Sequence, residues 1–481
     1  MTSFNVLDEG WIPVETFAGQ RELLGIRKVL EQAHTIRAIR DASPLVEYGL
    51  YRFLQVFLMD ALRPADSLEL EDILDAGKFD MDAVEEYIAT CEGEGVRFDL
   101  FDEKRPFLQA PYDEAWDAHV KRKAAKELDY TFPHGNNHVH FDHREGSQFA
   151  IEPPEAARLL PTALLFCTVG AQKYPSGVNG APPYYAVING ENLFETLCYT
   201  LIPVDEINIP LDNPPVLWRY QGVIEPKKEV ASTSLFFGML FPTRRIRLIP
   251  EEGSRTIQHI CLSQGMNYIS KDTWTDPCVT YRYMDSGRAP LRPKREKAVW
   301  RNFNDVIDVQ NQHAPEILRL YRKVSTSEIV RLTLYGVETS NASYLQVMRH
   351  TLQFPAKLAE RDGYARWMQN MIEAAERLAR SLKKALDNPK VLSAHIAVSA
   401  VQRYYDECES SFWRFCNDLP DDEIEIECSY QEWISEIAGH ARKSYQRALA
   451  GIKLDAKKLV SISKSEYFLI NEIAKVRGGR K

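Results

Sequence analysis

The sequence predicts an α+β protein, with a large mixed α/β N-terminal domain over residues 1–355 followed by a C-terminal four-helix bundle over residues 356–481. Three observations carry this expectation. Short β-type runs alternate with loops rich in Pro, Gly and Asn up to Pro355; an apolar repeat of three and four follows; and the charge balance changes across the same boundary. The 481 residues are 44% apolar and 11% aromatic against 26% charged, which is ample for sizeable cores and excludes a disordered or collagen-like chain.

In the first part, RRIRLIP (244–250) and IVRLTLYGV (329–337) have the β-branched, apolar character of strands. In the last quarter, Met368, Met371, Ala375, Leu378, Leu382 and Leu386 share one helical face, and Trp433, Ile437, Ala441, Tyr445 and Ala448 share another. Asn388-Pro389 ends the first of these stretches, because the residue before a proline is pushed out of the α region. Ser429 with Glu432 three places on reads as a capping box that opens the third helix. Gly363, Pro420, Gly439 and Gly451 mark the remaining breaks, and helices joined by short breaks pack most simply as an antiparallel bundle.

The formal charge is -9 overall. Residues 356–481 hold 21 Lys+Arg against 19 Asp+Glu, so the first 355 residues carry -11. Such a chain does not coat itself in nucleic acid, and any phosphate-binding surface has to be local. The last 31 residues, with eight bases and three acids, form one basic end. No apolar run reaches the roughly 18 to 20 residues of a bilayer span. The start MTSFNVLDEGWIP lacks the basic and apolar regions of a signal peptide, so the expected compartment is the cytoplasm, without a membrane partner. Eight cysteines, no two separated by only two residues, give neither a zinc knuckle nor a redox pair.

The sharpest local signal is a cluster of histidines, His134-Gly-Asn136-Asn137-His138-Val-His140-Phe141-Asp142-His143. His138, His140, Asp142 and His143 spell HxHxDH, the metal-binding string of metallo-β-lactamase-like hydrolases, in which a bound metal activates water. A metal-dependent hydrolase is therefore the alternative reading. That string should follow an apolar strand, and here LDYTFPHGNN precedes it, so a polar loop without metal or other cofactor is the expectation. A second loop, Thr168-Val-Gly170-Ala171-Gln172-Lys173-Tyr-Pro-Ser-Gly177-Val-Asn179-Gly180, contains neither GxGxxG nor GxxxxGK[ST] and gives no nucleotide cradle. A third segment, Arg288 to Arg301, sets six bases against one acid with Trp300 among them, as a strip following a nucleic-acid backbone would. Lys121-Arg122-Lys123 and Lys126 make a further small patch. Neither a GxSxG elbow nor HExxH appears, so acyl transfer and zincin chemistry have nothing to stand on.

Taken together, several pieces resemble the CasA family, the large subunit of the type I-E CRISPR surveillance complex Cascade. They are Phe4-Asn-Val-Leu-Asp-Glu-Gly-Trp11-Ile-Pro13-Val14, Phe98-Asp-Leu-Phe-Asp with Pro106-Phe107-Leu108-Gln109, and Gly135-Asn136-Asn137 leading to Phe141-Asp142-His143. Next come Pro154-Glu-Ala156-Ala157-Arg158, Gly180-Ala181-Pro182 and Gly190-Glu-Asn192-Leu193-Phe194. Thr243-Arg244-Arg245-Ile-Arg247, Asp276-Pro277 with Tyr281-Arg282, and Pro290-Leu291-Arg292-Pro293 through Trp300-Arg301 complete the set.

The resemblance implies a non-catalytic subunit, not an enzyme. It would recognise the protospacer-adjacent motif in double-stranded DNA, wedge the duplex open for guide RNA pairing and R-loop formation, and recruit a separate helicase-nuclease. Its partners would be target DNA, the CRISPR guide RNA and the other Cascade subunits. By the same resemblance, Asn136, Asn137, Phe141 and His143 lie in a loop that meets guide RNA and neighbouring subunits. Gly170, Ala171, Gln172 and Lys173 form a glycine loop at the groove, with Lys271 as the groove-reading lysine. Thr339, Ser340, Asn341 and Ala342 form the wedge, with Asn341 where some members carry glutamine.

Overall fold

A computed structural model describes residues 2–131, 149–168, 174–270, 273–285, 287–309, 311–340, 343–359, 362–387, 394–420, 422–450 and 455–478. Helices and strands are mixed through the first three quarters, and the last quarter is helical, as the sequence predicts. The chain divides into two compact units. The first comprises Met1–Arg295, Gln312–Thr326 and Val330–Leu352; the second comprises Glu296–Asn311, Ser327–Ile329 and Gln353–Lys481. Among the described residues, no helix is long and apolar enough to cross a membrane.

The first unit opens with a three-stranded sheet in which β1 (Ile12–Thr16) lies between β2 (Arg21–Leu24) and β3 (Ile36–Ile39). Its central element is helix α1 (Pro44–Leu62), which starts with proline at its first position, where no intrahelical N–H is needed. Every residue from Leu45 to Asp60 is buried, as expected of a helix enclosed on all sides. A second helix, α2 (Pro153–Leu165), crosses it at Gly49, where a Cβ would lie 2.5 Å from the Thr162 hydroxyl oxygen; only glycine permits that approach.

Burying α1 brings charges inside, and each meets a partner, as a low-dielectric interior requires. Arg52 pairs with Asp276 at 2.6 Å, with both side chains at most 1% exposed. Asp60 accepts from Arg219 at 3.0 Å and from the Tyr87 hydroxyl at 2.8 Å, and Glu47 pairs with Arg349 at 3.1 Å.

Three further sheets carry the loops of interest. In one, β6 (Arg244–Pro250) pairs antiparallel with β7 (Ile257–Gln264), and the short strand β4 (Lys123–Ala124) pairs with the other edge of β7. In another, β5 (Tyr185–Ile188) borders β10 (Ile329–Ser340), whose other neighbour is β11 (Ser343–Pro355). Between them in sequence, β8 (Tyr281–Met284) and β9 (Gly287–Pro290) form a two-stranded hairpin. The runs read as strands at 244–250 and 329–337 are thus β6 and most of β10.

The second unit is dominated by α3 (Asp362–Leu386), α4 (Ala394–Asn417), α5 (Glu423–Leu449) and α6 (Ala456–Arg477). All eleven apolar positions picked out by periodicity on α3 and α5 are buried. Trp433 is fully buried and donates through its indole N–H to the Met371 carbonyl at 2.9 Å, tying α5 to α3. Two expected boundaries are corrected. α5 begins at Glu423, capped by the Asp422 carboxylate, which accepts from Glu425 N at 2.9 Å, so Ser429 is an interior residue and not the start. The first turns bury nothing large, since Ile424, Glu425 and Glu427 are exposed, and the apolar repeat becomes visible only at Trp433. Gly439 breaks nothing: it lies inside α5 with open space around its Cα.

Two expectations follow. Trp433→Ala removes a fully buried indole from the bundle core and should cost about 3–5 kcal/mol, read as an earlier urea transition of helical circular dichroism; an unchanged midpoint would contradict the packing. His350, on β11 with its ring 6.0 Å from that of Tyr184, has its pKa lowered by burial. The unfolded chain therefore takes up a proton near pH 6.5 that the folded unit resists, so stability falls as pH drops through that range. Thermal melts from pH 7.5 down to 5.5 should show a smaller loss for His350→Gln than for the parent chain; equal losses would show that another group governs the acid limb.

Candidate nucleic-acid interface

Many of the residues singled out in the sequence lie outside the described residues. These are Asn136, Asn137, Phe141 and His143, with the whole HxHxDH string of His138, His140, Asp142 and His143; Gly170, Ala171, Gln172 and Lys173; Lys271; and Asn341 and Ala342. Thr339 and Ser340 are described and close β10, with Ser340 exposed. Among the described residues, no group of three or more His, Cys, Asp or Glu is placed to hold a metal ion. What the structure supplies is the footing of each of these four segments, all of it within the first unit.

The footing of residues 169–173 is a single guanidinium. Arg244 is 5% exposed; its Nη2 donates to the Thr168 carbonyl and its Nη1 to the Pro175 carbonyl, each at 2.7 Å. Its plane lies over the Tyr174 ring at 5.3 Å. The planar fork of arginine spans two acceptors at once, so the two ends of this segment are held a fixed distance apart.

β11, which begins just after residues 341–342, is footed on Tyr344. Its hydroxyl donates to the Phe166 carbonyl, two residues before Thr168. Its ring meets that of Tyr130 edge to face at 5.9 Å and 83°. Tyr130 stands two residues before position 132, so the described residues that flank the hairpin, the glycine segment and the histidine segment meet one another. Burial pushes the Tyr344 phenol far above its usual range, and Tyr130 likewise, with Arg244 opposing the shift in both; each stays neutral at any physiological pH. On the opposite strand, Gly336 lets β10 pass closely over Pro293 and Tyr184, since a Cβ there would stand 2.5 Å from Pro293 Cγ.

The Lys271 segment joins the same assembly through Asp276. One carboxylate oxygen of Asp276 takes the Arg52 ion pair and the Cys278 N–H at 3.0 Å; the other accepts from Asn179 Nδ2 at 3.0 Å. Asn179 follows the glycine segment, and its side-chain oxygen accepts from the Tyr281 hydroxyl at 3.1 Å. Arg288 donates to Thr275 Oγ1 at 2.9 Å and to the Trp274 carbonyl at 3.2 Å while stacking over Tyr281 at 4.6 Å. The basic strip begins, then, by fastening this segment. Further along, Arg295 N donates to Glu338 Oε2 on the hairpin at 2.8 Å, which leaves Arg292 and Lys294 exposed beside it.

The family profile described as CRISPR-associated protein Cse1 matches residues 5–456, nearly the whole chain. The chain belongs to the Cse1 family. A Cse1-family relative, the CRISPR-associated protein CasA/Cse1 of Thermus thermophilus, is 28% identical over 404 residues, covering 80% of this chain and 77% of that protein. The fold agrees with a solved structure of Thermus thermophilus CasA (Cse1), at a TM-score of 0.77 and 23% identity, covering 98% of this chain and 100% of that one. It also agrees with a chain from a structure described as a CRISPR RNA-guided surveillance complex, at a TM-score of 0.72 and 19% identity, covering 94% and 99%.

Sequence reading missed the residues that join the segments: Tyr130, Tyr344, Asn179, Arg52 and, as a clasp, Arg244. The available signal was weak. Arg244 and Asp276 stood in strings that resembled the family, and charged residues inside apolar strings are candidates for buried, paired groups.

The clasp has a measurable consequence. Arg244→Met leaves two carbonyls without their donor, at about 1–3 kcal/mol each, so urea denaturation should show a loss of that order for the first unit. Arg244→Lys should recover less than half, because an ammonium lacks the fork. An unchanged midpoint for Arg244→Met would show that the clasp carries no weight.

Proposed function

We propose that this chain is the duplex-reading subunit of a Cascade-type complex in the cytoplasm, one that performs no catalytic step itself. In this reading it recognises a protospacer-adjacent motif in double-stranded DNA, opens the duplex beside it so that guide RNA can pair, and offers a docking place for a helicase-nuclease. Membership of the Cse1 family and the fold shared with a chain of an RNA-guided surveillance complex support the assignment to such a complex.

The observation that carries the finer reading is the common footing of the four segments. A short motif in a groove with a degenerate edge pattern needs only a few contacts, provided these are held in register with one another. Tyr344, Arg244 and Asp276 link the hairpin, the glycine segment and the Lys271 segment, so a displacement of one is transmitted to the others. Opening a base step costs a few kcal/mol, and a wedge has to be braced to supply it. A two-stranded hairpin that packs over Pro293 and Tyr184 at Gly336 is braced in that way. Residues 136–143 would meet guide RNA and neighbouring subunits, Gly170 to Lys173 and Lys271 the groove, and Thr339 to Ala342 the opened step. Arg292 and Lys294 place positive charge beside the hairpin for a phosphate backbone.

The test compares two substrates in the assembled complex. Asn341→Ala combined with Ser340→Ala should weaken binding of motif-bearing duplex by about tenfold or more, and should leave binding of the same sequence with a pre-opened bubble within about threefold. Equal losses on both substrates would remove the wedge from the proposal.

A further inference from the structure

The sheet β4–β7–β6 has an outward face that none of the assignments above uses. In an antiparallel pair, residues directly opposite project to the same side. The register sets Arg247 opposite Cys261, Ile249 opposite His259, and Ala124 of β4 opposite His259. The other side is apolar core, with Ile246, Leu248, Ile260 and Leu262 all buried. On the outward side, Arg247 lies under the ring of Tyr112 at 5.2 Å, and Tyr112 is 51% exposed, so its second face is open. Arg247 Nη1 is buried without a hydrogen-bond partner. Arg122 is exposed just before β4; burial and Asp117 push the Cys261 thiol up, and Arg122 and Arg247 oppose that shift. His259 is exposed on the same face, with Lys121 and His119 exposed at its edge. Of the nearby acids, Asp117 pairs with Arg245 at 2.6 Å, Glu127 with Lys123 at 3.3 Å, and Asp113 caps the short helix Glu114–Asp117, whose Glu114 is exposed.

We propose that this face is a binding surface for a single-stranded nucleic acid, with one base stacked on the open side of Tyr112 and phosphates held by Arg247 and Arg122. An open aromatic face braced by a guanidinium, with further cations in line, is the arrangement that takes a flexible strand: stacking accepts any base and the cations follow the backbone. An acidic peptide would use the cations and leave the ring idle. The surface is also placed for such a role. β4 leads within a few residues to Tyr130 and Thr131, and further along the chain Ile151 is bridged to Ile257 at the start of β7. The inference rests on reading the chain as a nucleic-acid-handling subunit, and it extends the RNA contact proposed for residues 136–143 onto an adjoining sheet.

The full chain contains its own reporter. Cys261 lies in the middle of the face and is partly accessible, and Cys428 is an exposed thiol on α5 that serves as an internal control. Alkylation by iodoacetamide, mapped by mass spectrometry, is followed with and without a saturating mixed-sequence 20-nucleotide RNA, the same strand as DNA, and polyglutamate of equal charge. Either strand should slow alkylation of Cys261 at least fivefold and leave Cys428 unchanged; the two arms tell which sugar is preferred. Tyr112→Leu should weaken strand binding by about fivefold or more, measured by fluorescence anisotropy. Arg122→Ala with Arg247→Met should lower the slope of log affinity against log salt by about 1.4, and Arg247→Lys should restore about half of that. Unprotected Cys261, or equal protection by polyglutamate with Tyr112→Leu unchanged, overturns the proposal. The hairpin substitutions at Ser340 and Asn341 act on duplex opening, so that reading and this one can fail separately.

Discussion

A buried guanidinium that reaches two carbonyls at once is the constraint on which the candidate interface depends. Arg244 fixes the span between Thr168 and Pro175, and with that span fixed the Phe166 carbonyl becomes a stationary acceptor for Tyr344. From Tyr344 the constraint passes to Tyr130 through ring contact, and from Asn179 to Asp276 and Arg52 through hydrogen bonds. Each link is largely buried and is a charge-assisted hydrogen bond, a phenol-to-carbonyl hydrogen bond or a ring contact, so its strength depends little on salt. Surface pairs would not serve in the same way, because they are worth little and are screened by salt.

The price of this arrangement is the burial of Arg52, Asp60, Asp276 and Arg244, with Glu47 and Arg245, among the Phe, Trp and Leu of the interior. Buried pairs are weak stabilisers when compared with apolar replacements, yet removing one partner is costly. Arg52 and Asp276 lie 224 positions apart and Tyr344 and Phe166 178 apart, so these contacts hold together segments that local packing alone would leave independent.

The parts of the fold governed by local periodicity were legible in the sequence. The apolar repeats of α3 and α5 mark buried faces, and Asn388-Pro389 stands just past the end of α3. The start of α5 was not legible, because its first turns bury no residue fully and a Ser–Glu pair imitates a cap further along; Asp422 sets the true start. The strand at 329–337 could be read, but its return strand, SYLQVMRHTLQFP, places His350 among its inward positions between Met348 and Leu352, and an imidazole there hides the alternation in the sequence. The candidate site was legible as separate strings and not as an assembly. Tyr130 and Tyr344 carry no local signature, and pairing at such separation is decided by tertiary packing, which a single sequence does not display. Arg247 shows the converse: on β6 it reads as one more base in a basic strand, and only the register with Cys261 and the stacking on Tyr112 give it a side and a neighbour.

In the function proposed above, this chain opens a duplex beside a short motif on behalf of a guide RNA. The most direct measurement places 2-aminopurine at the base step next to the motif and follows its fluorescence as the complex is assembled with guide RNA, with and without this chain. The account expects unstacking that requires both the chain and an intact motif and that precedes pairing with the guide. Fluorescence that rises equally without the chain, or with the motif scrambled, would contradict it.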